Sequence, residues 1–320
     1  MKKLQFAMVG GGNGALIGDI HRIGAQFDDL AELKAGCFSR HWDKNLEAGE
    51  KWGVEPGRIY PDYHTMLEEE AKRTGEDRLD FVVVATPNNT HYEIVKDIIA
   101  HGFHIVCDKP VTFTSRESEE LKALAQEKDL LFGVSYSYAH YAILEQAKKM
   151  IADGVLGKIH TIAAEYPQEW VGLNTALRGK DGLTWRVDPA ICGPSGVIAD
   201  IGTHVEYLIS KVTGLKPVRV LARLRSIPDY VPVESDAQVL IDYDNGAAGI
   251  FWTSFAMVGK SCCMKVRIYG DKGGMEWNAH DFMELRVDIA GQPTQIWSAN
   301  YDYCDPQARK SCRLPKGMPE

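Results

Sequence analysis

The feature that most constrains this chain is a glycine-rich segment near its N-terminus, Gly10-Gly11-Gly12-Asn13-Gly14-Ala15. It follows a short apolar run that is typical of a strand, Leu4 to Val9. It precedes apolar residues at helical spacing, namely Ile17, Ile20, Ile23 and Phe27. A G-x-G-x-x-G/A pattern between a strand and a helix brings backbone amides and the helix N-terminus towards a pyrophosphate. The segment therefore predicts a dinucleotide-binding turn with contacts from Gly10, Gly12, Asn13, Gly14 and Ala15.

The residues after the second predicted strand, Glu32 to Phe38, bear on which nucleotide is bound. An NAD site usually has Asp or Glu at this point, whereas a 2′-phosphate prefers Arg. This chain has Ser39 and Arg40 there, and Asp28 and Asp29 lie before the strand, at its wrong end. We therefore expect NADP to be favoured over NAD; the alternative is that Arg40 is a solvated loop residue. A P-loop is excluded because no Gly-Lys-Ser/Thr follows the glycines.

Composition excludes several classes of protein. At about 150 residues per domain, 320 residues suggest two domains. The chain is 45% hydrophobic and 25% charged, which is ordinary for a globular protein. A net charge of −8 leaves no basic field to hold nucleic acid. The seven cysteines are an odd number without C-x-x-C spacing, so we expect reduced thiols, with neither a disulfide frame nor a metal site.

The N-terminus has two lysines before an apolar stretch, but glycines, Asn13 and Asp19 interrupt it and no cleavage site follows. The longest apolar runs elsewhere, such as Phe81 to Ala85, are far shorter than the roughly 18 residues of a membrane helix. We therefore expect a soluble, cytoplasmic protein that does not bind a membrane.

Strand and helix signals alternate over the first 130 or so residues, as they do in a doubly wound parallel sheet. Phe81 to Ala85 is an uninterrupted run, typical of a strand that is buried on both faces. Thr114 and Glu117 form a capping box that opens a helix. Glu68, Glu69 and Glu70 are expected on a solvated helix face.

Beyond residue 135 strand signals dominate, and turn signals at Asp244-Asn245-Gly246 and Asp271 to Gly274 predict antiparallel neighbours. One helix near 140–153 precedes them, and another, Val197 to Thr213, interrupts them. The sequence therefore predicts an α/β fold class with a domain boundary near residue 133. Residues 1–133 are expected to form a doubly wound, dinucleotide-binding domain, and residues 134–320 an α+β domain with mainly antiparallel strands.

Three further constellations stand out. Thr86-Pro87-Asn88 with His91 follows the third strand, where a doubly wound sheet has its cofactor crevice. Asp108-Lys109-Pro110 follows the next strand at the same sheet edge. Gly193-Pro194-Ser195-Gly196 opens the later helix, on which Asp200 and His204 are four residues apart and so share a face. Each taken alone has an ordinary structural explanation: a turn, a surface lysine or a surface Asp–His pair.

Together these segments resemble the glucose–fructose oxidoreductase, inositol dehydrogenase and rhizopine-catabolism family over nearly the whole chain. Cys107-Asp108-Lys109-Pro110 lies where the family typically has Glu-Lys-Pro, and Trp185-Arg186 also matches. The resemblance implies a Rossmann domain, a C-terminal open sheet, and pyridine-nucleotide-dependent oxidation of sugars, inositols or related polyols. It implies cofactor contacts at the following residues: Thr86, Pro87, Asn88, His91, Asp108, Lys109, Pro110, Trp185 and Arg186.

Two departures from the family pattern concern the substrate site and the chain end. The segment from Ser135 to His140 lacks the Arg that is often present, and we expect substrate contacts there from Tyr138 and His140. Family members continue past a segment like Leu314 to Glu320 into a final helix, so this chain is either a fragment or lacks that helix.

We expect hydride transfer between a secondary alcohol and a nicotinamide, with Lys109, Asp200 and His204 as catalytic and substrate-binding residues. His204 suits an acid–base role and Lys109 would hold the reacting oxygen, although Lys109 as the final acid or base is equally consistent. The expectation requires both groups to converge on one cleft. The alternatives are a non-catalytic dinucleotide-sensing regulator and a dehydrogenase for a non-sugar substrate such as a dihydrodiol or an imine.

Aromatic side chains could supply stacking faces for a sugar, and the candidates are Tyr136, Tyr138, Tyr141, Trp170 and Trp185. The open sheet face is expected to be rich in Ile250, Phe251, Trp252 and Phe255. Such a face needs covering, which predicts a homodimer or homotetramer unless helices of the same chain cover it.

Overall fold

The computed structural model describes residues 2–262 and 264–313, so Met1, Cys263 and the segment from Leu314 to Glu320 lie outside the described residues. The chain forms two compact units, Met1–Ser135 and Tyr136–Glu320. No disulfide joins the cysteines of the described part of the chain. Within that same part, no helix is long and apolar enough to cross a membrane.

The first unit is built on a parallel five-stranded sheet of order β2-β1-β3-β4-β5. Its strands are β1 Leu4–Gly10, β2 Ala31–Cys37, β3 Phe81–Ala85, β4 His104–Cys107 and β5 Phe132–Val134. Its helices are α1 Leu16–Gln26, α2 Trp42–Lys51, α3 Tyr63–Ala71, α4 His91–Ala100 and α5 Ser115–Glu127. The strand order reverses between β1 and β3, and ligands of such sheets bind at the carboxyl ends of the strands beside that point. The predicted doubly wound parallel sheet is confirmed.

Local sequence explains much of the first unit. The apolar run of β3 is buried at Val82, Val83 and Val84 because helices cover both faces of the sheet. The capping box opens α5 as predicted, with Thr114 Oγ1 accepting from the Glu117 amide and the Glu117 side chain accepting from the Thr114 amide.

The apolar spacing of α1 does not mark its buried face, and the expectation of a solvated Glu70 is wrong. The apolar stripe of α1 is exposed, with Ile20, Ile23 and Phe27 each more than half accessible, because the helix packs on the sheet through Gly18 instead. Glu70 is fully buried: Arg58 Nε donates to it at 2.9 Å and Tyr60 Oη at 2.7 Å. Glu68 and Glu69 are solvated as expected.

The second unit contains an eight-stranded sheet of order β13-β12-β11-β10-β6-β9-β8-β7. Its strands are β6 Ile159–Pro167, β7 Pro217–Arg225, β8 Asp236–Tyr243, β9 Ala248–Ser254, β10 Lys265–Gly270, β11 Gly273–Asn278, β12 Glu284–Ile289 and β13 Gln295–Ser298. All neighbours are antiparallel except β6 and β9. The mainly antiparallel sheet of the predicted fold class is confirmed.

The second unit is more helical than predicted. Its helices are α6 Ala142–Ala152, α7 Trp170–Arg178, α8 Pro189–Cys192, α9 Thr203–Thr213 and α10 Pro306–Lys310, with a π-helical turn at Ile198–Gly202. Strand alternation also corrects the expected open face: Phe251 and Phe255 are buried in the core, whereas Ile250 is half exposed. Successive side chains of a strand point to opposite faces, so one run cannot place all four residues on the same face.

Candidate active site

The predicted glycine turn lies between β1 and α1. The Gly12 amide donates to the Phe38 carbonyl at 3.1 Å, which ties the turn to the end of β2. Gly14 has a φ of +82°, a left-handed conformation that favours glycine. Helix α1 then begins without a side-chain cap at Ala15. The first amides of a helix have no intrahelical partner and attract an anion, so this turn suits a pyrophosphate.

The packing role of Gly11, in this turn, was not predicted from the sequence. A Cβ atom on Gly11 would lie 2.6 Å from Gly18 Cα, and one on Gly18 would lie 2.0 Å from the Gly11 carbonyl oxygen. The close approach of helix to strand therefore depends on Gly11 and Gly18, whereas the general G-x-G-x-x-G/A fingerprint gives this role to its third small residue, here Ala15. The sequence signal for this contact is Gly18, a second small residue in the first turn of α1.

The residues next to the turn that bear on the nucleotide are cationic. Arg40 is exposed after β2, and Ser39 Oγ beside it accepts from the His41 amide at 3.1 Å. Lys51, at the end of α2, donates to Asn13 Oδ1 at 3.2 Å. Sequence reasoning missed Lys51 because the contact spans 38 residues.

The Thr86 to His91 loop follows β3 as predicted, but His91 supports the loop. Its side chain is fully buried, with Nε2 2.8 Å from the Thr86 carbonyl oxygen and Nδ1 2.8 Å from the Pro110 carbonyl oxygen. A ring whose two nitrogens face backbone carbonyls joins the loops after β3 and β4. The structure thus gives His91 a supporting role in place of the predicted cofactor contact.

Asp108, directly before Lys109, is a partly buried carboxylate with two side-chain neighbours. Ser135 Oγ donates to its Oδ1 at 2.7 Å, and His21 Nε2 of α1 lies 3.9 Å from the same oxygen. Burial disfavours the ionised carboxyl, but the contacts from His21 and Ser135 and the charge of Lys109 outweigh it and lower the pKa of Asp108 to about 2. His21 was not predicted, since nothing local to α1 indicates this contact.

Asp108→Asn is expected to destabilise the protein most above about pH 4 and progressively less towards about pH 2. The pKa of Asp108 lies near 2 in the folded chain, below its ordinary 3.8, so its stabilisation is fully present above the unfolded pKa and is lost as the pH falls through the folded one. The pKa difference corresponds to about 2 kcal/mol. Urea unfolding of both proteins between about pH 7 and pH 2 measures it, and a difference independent of pH would contradict this origin.

In the second unit, Trp185 and Arg186 lie on a short 3₁₀ turn, Trp185–Val187. The guanidinium carbon of Arg186 is 4.5 Å from the Trp185 ring centre, and Trp185 is about one-third exposed. The pair therefore presents a flat, cationic surface to solvent, and its predicted cofactor contact stays a prediction.

His204 is buried and lies between two tyrosine rings. Its imidazole centre is 5.4 Å from the ring of Tyr136 and 5.1 Å from that of Tyr138, and both pairs are edge-on. Tyr166 Oη donates to Tyr138 Oη at 2.8 Å, and burial raises the pKa of both phenols. Tyr138 and Tyr166 therefore stay neutral hydroxyls at physiological pH, and the rings of Tyr136 and Tyr138 restrict the orientation of the imidazole. Tyr166 was not predicted to lie here.

Asp200 and His204 are not separated by an α-helical turn as expected. Asp200 lies in the π-helical turn Ile198–Gly202, and His204 follows in the first turn of α9. A π-helix bonds each residue to the fifth one along, which changes the angle between the two side chains. Such turns are frequent at functional sites.

His140, a predicted substrate contact, is engaged within the unit. Lys211 donates to its Nδ1 at 3.1 Å and pairs with Glu145 at 2.7 Å. Burial, and then the charge of Lys211, lowers the pKa of His140, so it accepts this hydrogen bond as a neutral ring. Its remaining nitrogen is the part available for a substrate.

Two of the predicted stacking residues pack on aromatic rings. The Tyr141 ring centre is 5.0 Å from that of Phe282, and the Trp170 ring centre is 4.7 Å from that of the buried Phe255. Both contribute to the second unit's core cluster as partly buried rings. Tyr136 and Tyr138 also pack on aromatic rings, those of Tyr207 and Tyr166, so Trp185 is the one exposed ring among the five candidates for a sugar face.

Comparison with known proteins decides the family. One family model, the oxidoreductase family with an NAD-binding Rossmann fold, matches residues 4–136. A second, the GFO/IDH/MocA C-terminal domain, matches residues 144–276. The uncharacterized oxidoreductase YfiI of Bacillus subtilis is 37% identical over 98% of this chain and 80% of its own length. The chain belongs to the Gfo/Idh/MocA family.

Solved structures of this family share the architecture. An inositol dehydrogenase homolog from Azotobacter vinelandii, complexed with NAD+, has a TM-score of 0.94 and 36% identity, covering 100% of this chain and 82% of its own. The complex of that homolog with NADH and myo-inositol has a TM-score of 0.91 over the same shares, also at 36% identity. The present chain is thus an NAD-binding oxidoreductase of the Gfo/Idh/MocA family.

Proposed function

We propose that this protein is a dehydrogenase that removes hydride from a secondary alcohol of a sugar, an inositol or a related polyol. The observation that carries the proposal is the position of the His204 imidazole, which is buried between Tyr136 and Tyr138. His204 lies on α9, and Asp200 lies in the π-helical turn directly before that helix. Support comes from the family and from the Azotobacter homolog, which was solved with myo-inositol. A buried, oriented imidazole beside hydroxyl donors suits a polyol better than an apolar substrate.

Each candidate residue has a distinct role in the proposal. When bound, a nicotinamide supplies the hydride acceptor. The Lys109 ammonium holds the reacting oxygen and favours its alkoxide character, and His204 takes the hydroxyl proton. Asp200 orients the substrate through neighbouring hydroxyls. Tyr138 and the second ring nitrogen of His140 provide hydrogen bonds to the sugar.

The glycine turn suits the pyrophosphate of the cofactor, because the space beside Gly14 is open and the uncapped start of α1 offers amide donors. Residues proposed to complete this site are Gly10, Asn13, Ala15, Ser39, Arg40, Thr86, Pro87, Asn88, Asp108, Lys109, Pro110, Trp185 and Arg186. We extend the proposal to a preference for NADP, since Arg40 and Lys51 flank the turn and no carboxylate follows β2 directly.

Arg40→Ala and Lys51→Ala are each expected to weaken NADPH binding about tenfold or more and to change NADH binding less than twofold, since each removes a cation for the 2′-phosphate. Fluorescence titration with both nucleotides measures this without turnover. Arg116→Ala, an exposed arginine of α5, is the matched control. Equal effects on NADPH and NADH binding would contradict the NADP preference. NADH is included in the titration because the Azotobacter homolog was solved with NADH.

The proposal gives the two parts of the chain different roles. We assign residues 1–133 to cofactor binding and residues 134–320 to substrate binding and self-association. The outer face of the second sheet carries half-exposed or more exposed apolar side chains at Leu221, Leu240 and Ile250, in register on β7, β8 and β9. Covering this stripe predicts a homodimer or homotetramer. We also propose a cytoplasmic location, in keeping with the reduced cysteines.

A panel of inositols, aldoses and polyols, together with a dihydrodiol, tests the proposal through nucleotide fluorescence after incubation with NADP+ and separately with NAD+. At least one inositol, aldose or polyol is expected to yield reduced nucleotide. Nucleotide binding without turnover on any member would favour a sensing regulator, and turnover only on a dihydrodiol would favour a non-sugar dehydrogenase.

A further inference from the structure

The helix that carries His204 starts against a glutamate from a distant part of the chain. Glu234 Oε1 accepts hydrogen bonds from Ser195 Oγ at 2.6 Å, the Gly196 amide at 2.9 Å and the Ile198 amide at 3.2 Å. The Glu234 carbonyl also accepts from the Val197 amide at 2.9 Å. The first amides of a helix have no hydrogen-bond acceptors inside the helix. Here Glu234 supplies acceptors to the amides of Gly196, Val197 and Ile198.

The same contact explains the glycine that precedes the helix. A Cβ atom on Gly196 would lie 2.4 Å from the Glu234 carbonyl oxygen and 2.6 Å from Val233 Cγ2. The start of the π-helical turn therefore reaches Glu234 only when residue 196 has no side chain. This accounts for the last glycine of the Gly-Pro-Ser-Gly segment, which the catalytic proposal does not use.

Glu234 is itself firmly placed by the start of β8. Ser235 is fully buried, and its Oγ accepts from the Ile227 amide at 2.7 Å. Asp236 is also fully buried and accepts from Arg225 at 2.6 Å and from Trp252 Nε1 at 2.9 Å. The carboxylate that meets the helix is thus anchored to the sheet rather than to a mobile loop.

Charge placement agrees with this arrangement. A carboxylate at a helix N-terminus is favourable because the helix dipole is positive there. Burial raises the pKa of the nearby Cys192 thiol to about 11, with further contributions from the charges of Asp188, Glu234 and Asp200. The carboxylates of Glu234 and Asp200 therefore act on one buried thiol and lie in the same neighbourhood.

We propose that Glu234 is a positioning residue for the candidate active site. The effect of Glu234 on catalysis rests on the proposed function. By binding the first amides of the π-helical turn, it sets where that turn begins and how it is rotated. That rotation places Asp200 and holds the His204 imidazole between Tyr136 and Tyr138. Glu234 acts on the substrate only through these residues.

A spectroscopic measurement tests the positioning directly and needs no turnover. The His204 ring signal is identified in a histidine-labelled NMR spectrum by its loss in His204→Gln. The two edge-on tyrosine rings displace this signal from that of an exposed histidine. Glu234→Ala is expected to move it towards the exposed value, whereas Glu234→Gln, which keeps an acceptor oxygen, is expected to leave it nearly in place.

Kinetics supply the second readout. Glu234→Ala is expected to lower kcat about tenfold, in keeping with the cost of a misplaced catalytic group, with the dissociation constant of the cofactor within about twofold. Glu234→Gln should recover kcat to within about threefold of wild type. The control is Glu284→Ala, an exposed glutamate of β12 in the same unit, which should change neither readout.

A folded Glu234→Ala variant with an unmoved His204 signal would overturn the proposal. If that variant does not fold, Ser195→Ala removes one of the hydrogen bonds, and an unmoved signal there overturns it equally. A wild-type protein without turnover whose His204 signal still moves in Glu234→Ala would instead count against the dehydrogenase and retain the positioning role.

Discussion

Replacing Lys109 by alanine is expected to lower kcat at least about a hundredfold, while the dissociation constant of the nucleotide changes less than about threefold. The ammonium is proposed to hold the reacting oxygen as it becomes an alkoxide, an interaction that strengthens in the transition state. Acid–base and electrostatic help of this kind is worth about 10²–10⁴ in rate, or roughly 3–5 kcal/mol of barrier. Steady-state kinetics on the best substrate and fluorescence titration of the nucleotide measure the two quantities.

The Lys109 prediction has a matched control in Lys122→Ala, which removes an exposed lysine of α5 in the same unit. That variant should retain wild-type kcat and nucleotide binding. If Lys109→Ala kept kcat within about twofold of wild type, the lysine would have no place in the reaction. A loss confined to nucleotide binding would assign Lys109 to the cofactor alone.

His204→Ala is expected to lose at least about a hundredfold in kcat, again with nearly unchanged nucleotide binding. Because His204 is buried between Tyr136 and Tyr138, alanine also leaves a cavity there. His204→Gln fills most of that space but cannot accept the hydroxyl proton. A loss of similar size in both variants therefore separates the chemical role from packing.

Thermal unfolding of each His204 variant measures its stability. The control variant is His160→Ala, which removes an exposed histidine of β6. The His160 variant should behave as wild type. Wild-type turnover in His204→Gln would remove the imidazole from the scheme, because glutamine preserves shape without acid–base chemistry.

Features encoded within a few neighbouring residues were predictable from the sequence. The run Phe81 to Ala85, the capping box at Thr114 and the glycine turn all depend on contacts between near neighbours. Such patterns report their own local structure, and the alternation of strands and helices then determines a parallel sheet. The fold class and the family followed from these local patterns.

Features that depend on distant partners were not predictable. Glu70 resembled a solvated residue because its partner Arg58 precedes it by 12 residues in a different element. The contact of His21 with Asp108, and that of Glu234 with the start of the helix that carries His204, likewise join segments far apart in the chain. Spacing within one segment cannot reveal a partner in another.

The exposed stripe of α1 and the π-helical turn have different causes. The helix faces the sheet through Gly18, so close backbone contact overrides the apolar periodicity of Ile20 and Ile23. The π-helical turn at Ile198–Gly202 begins on Glu234, so its geometry is set by tertiary contacts rather than by propensity. Both show tertiary packing overriding a local preference.

The central claim, that Lys109 and His204 serve one hydride-transfer step, is tested most directly by single-turnover formation of reduced nucleotide in four proteins: wild type, Lys109→Ala, His204→Gln and the double variant. Groups that act on the same step are strongly non-additive. We predict that the double variant reacts within about tenfold of the slower single variant. Losses that multiply in full, or wild-type rates in either single variant, would contradict the account.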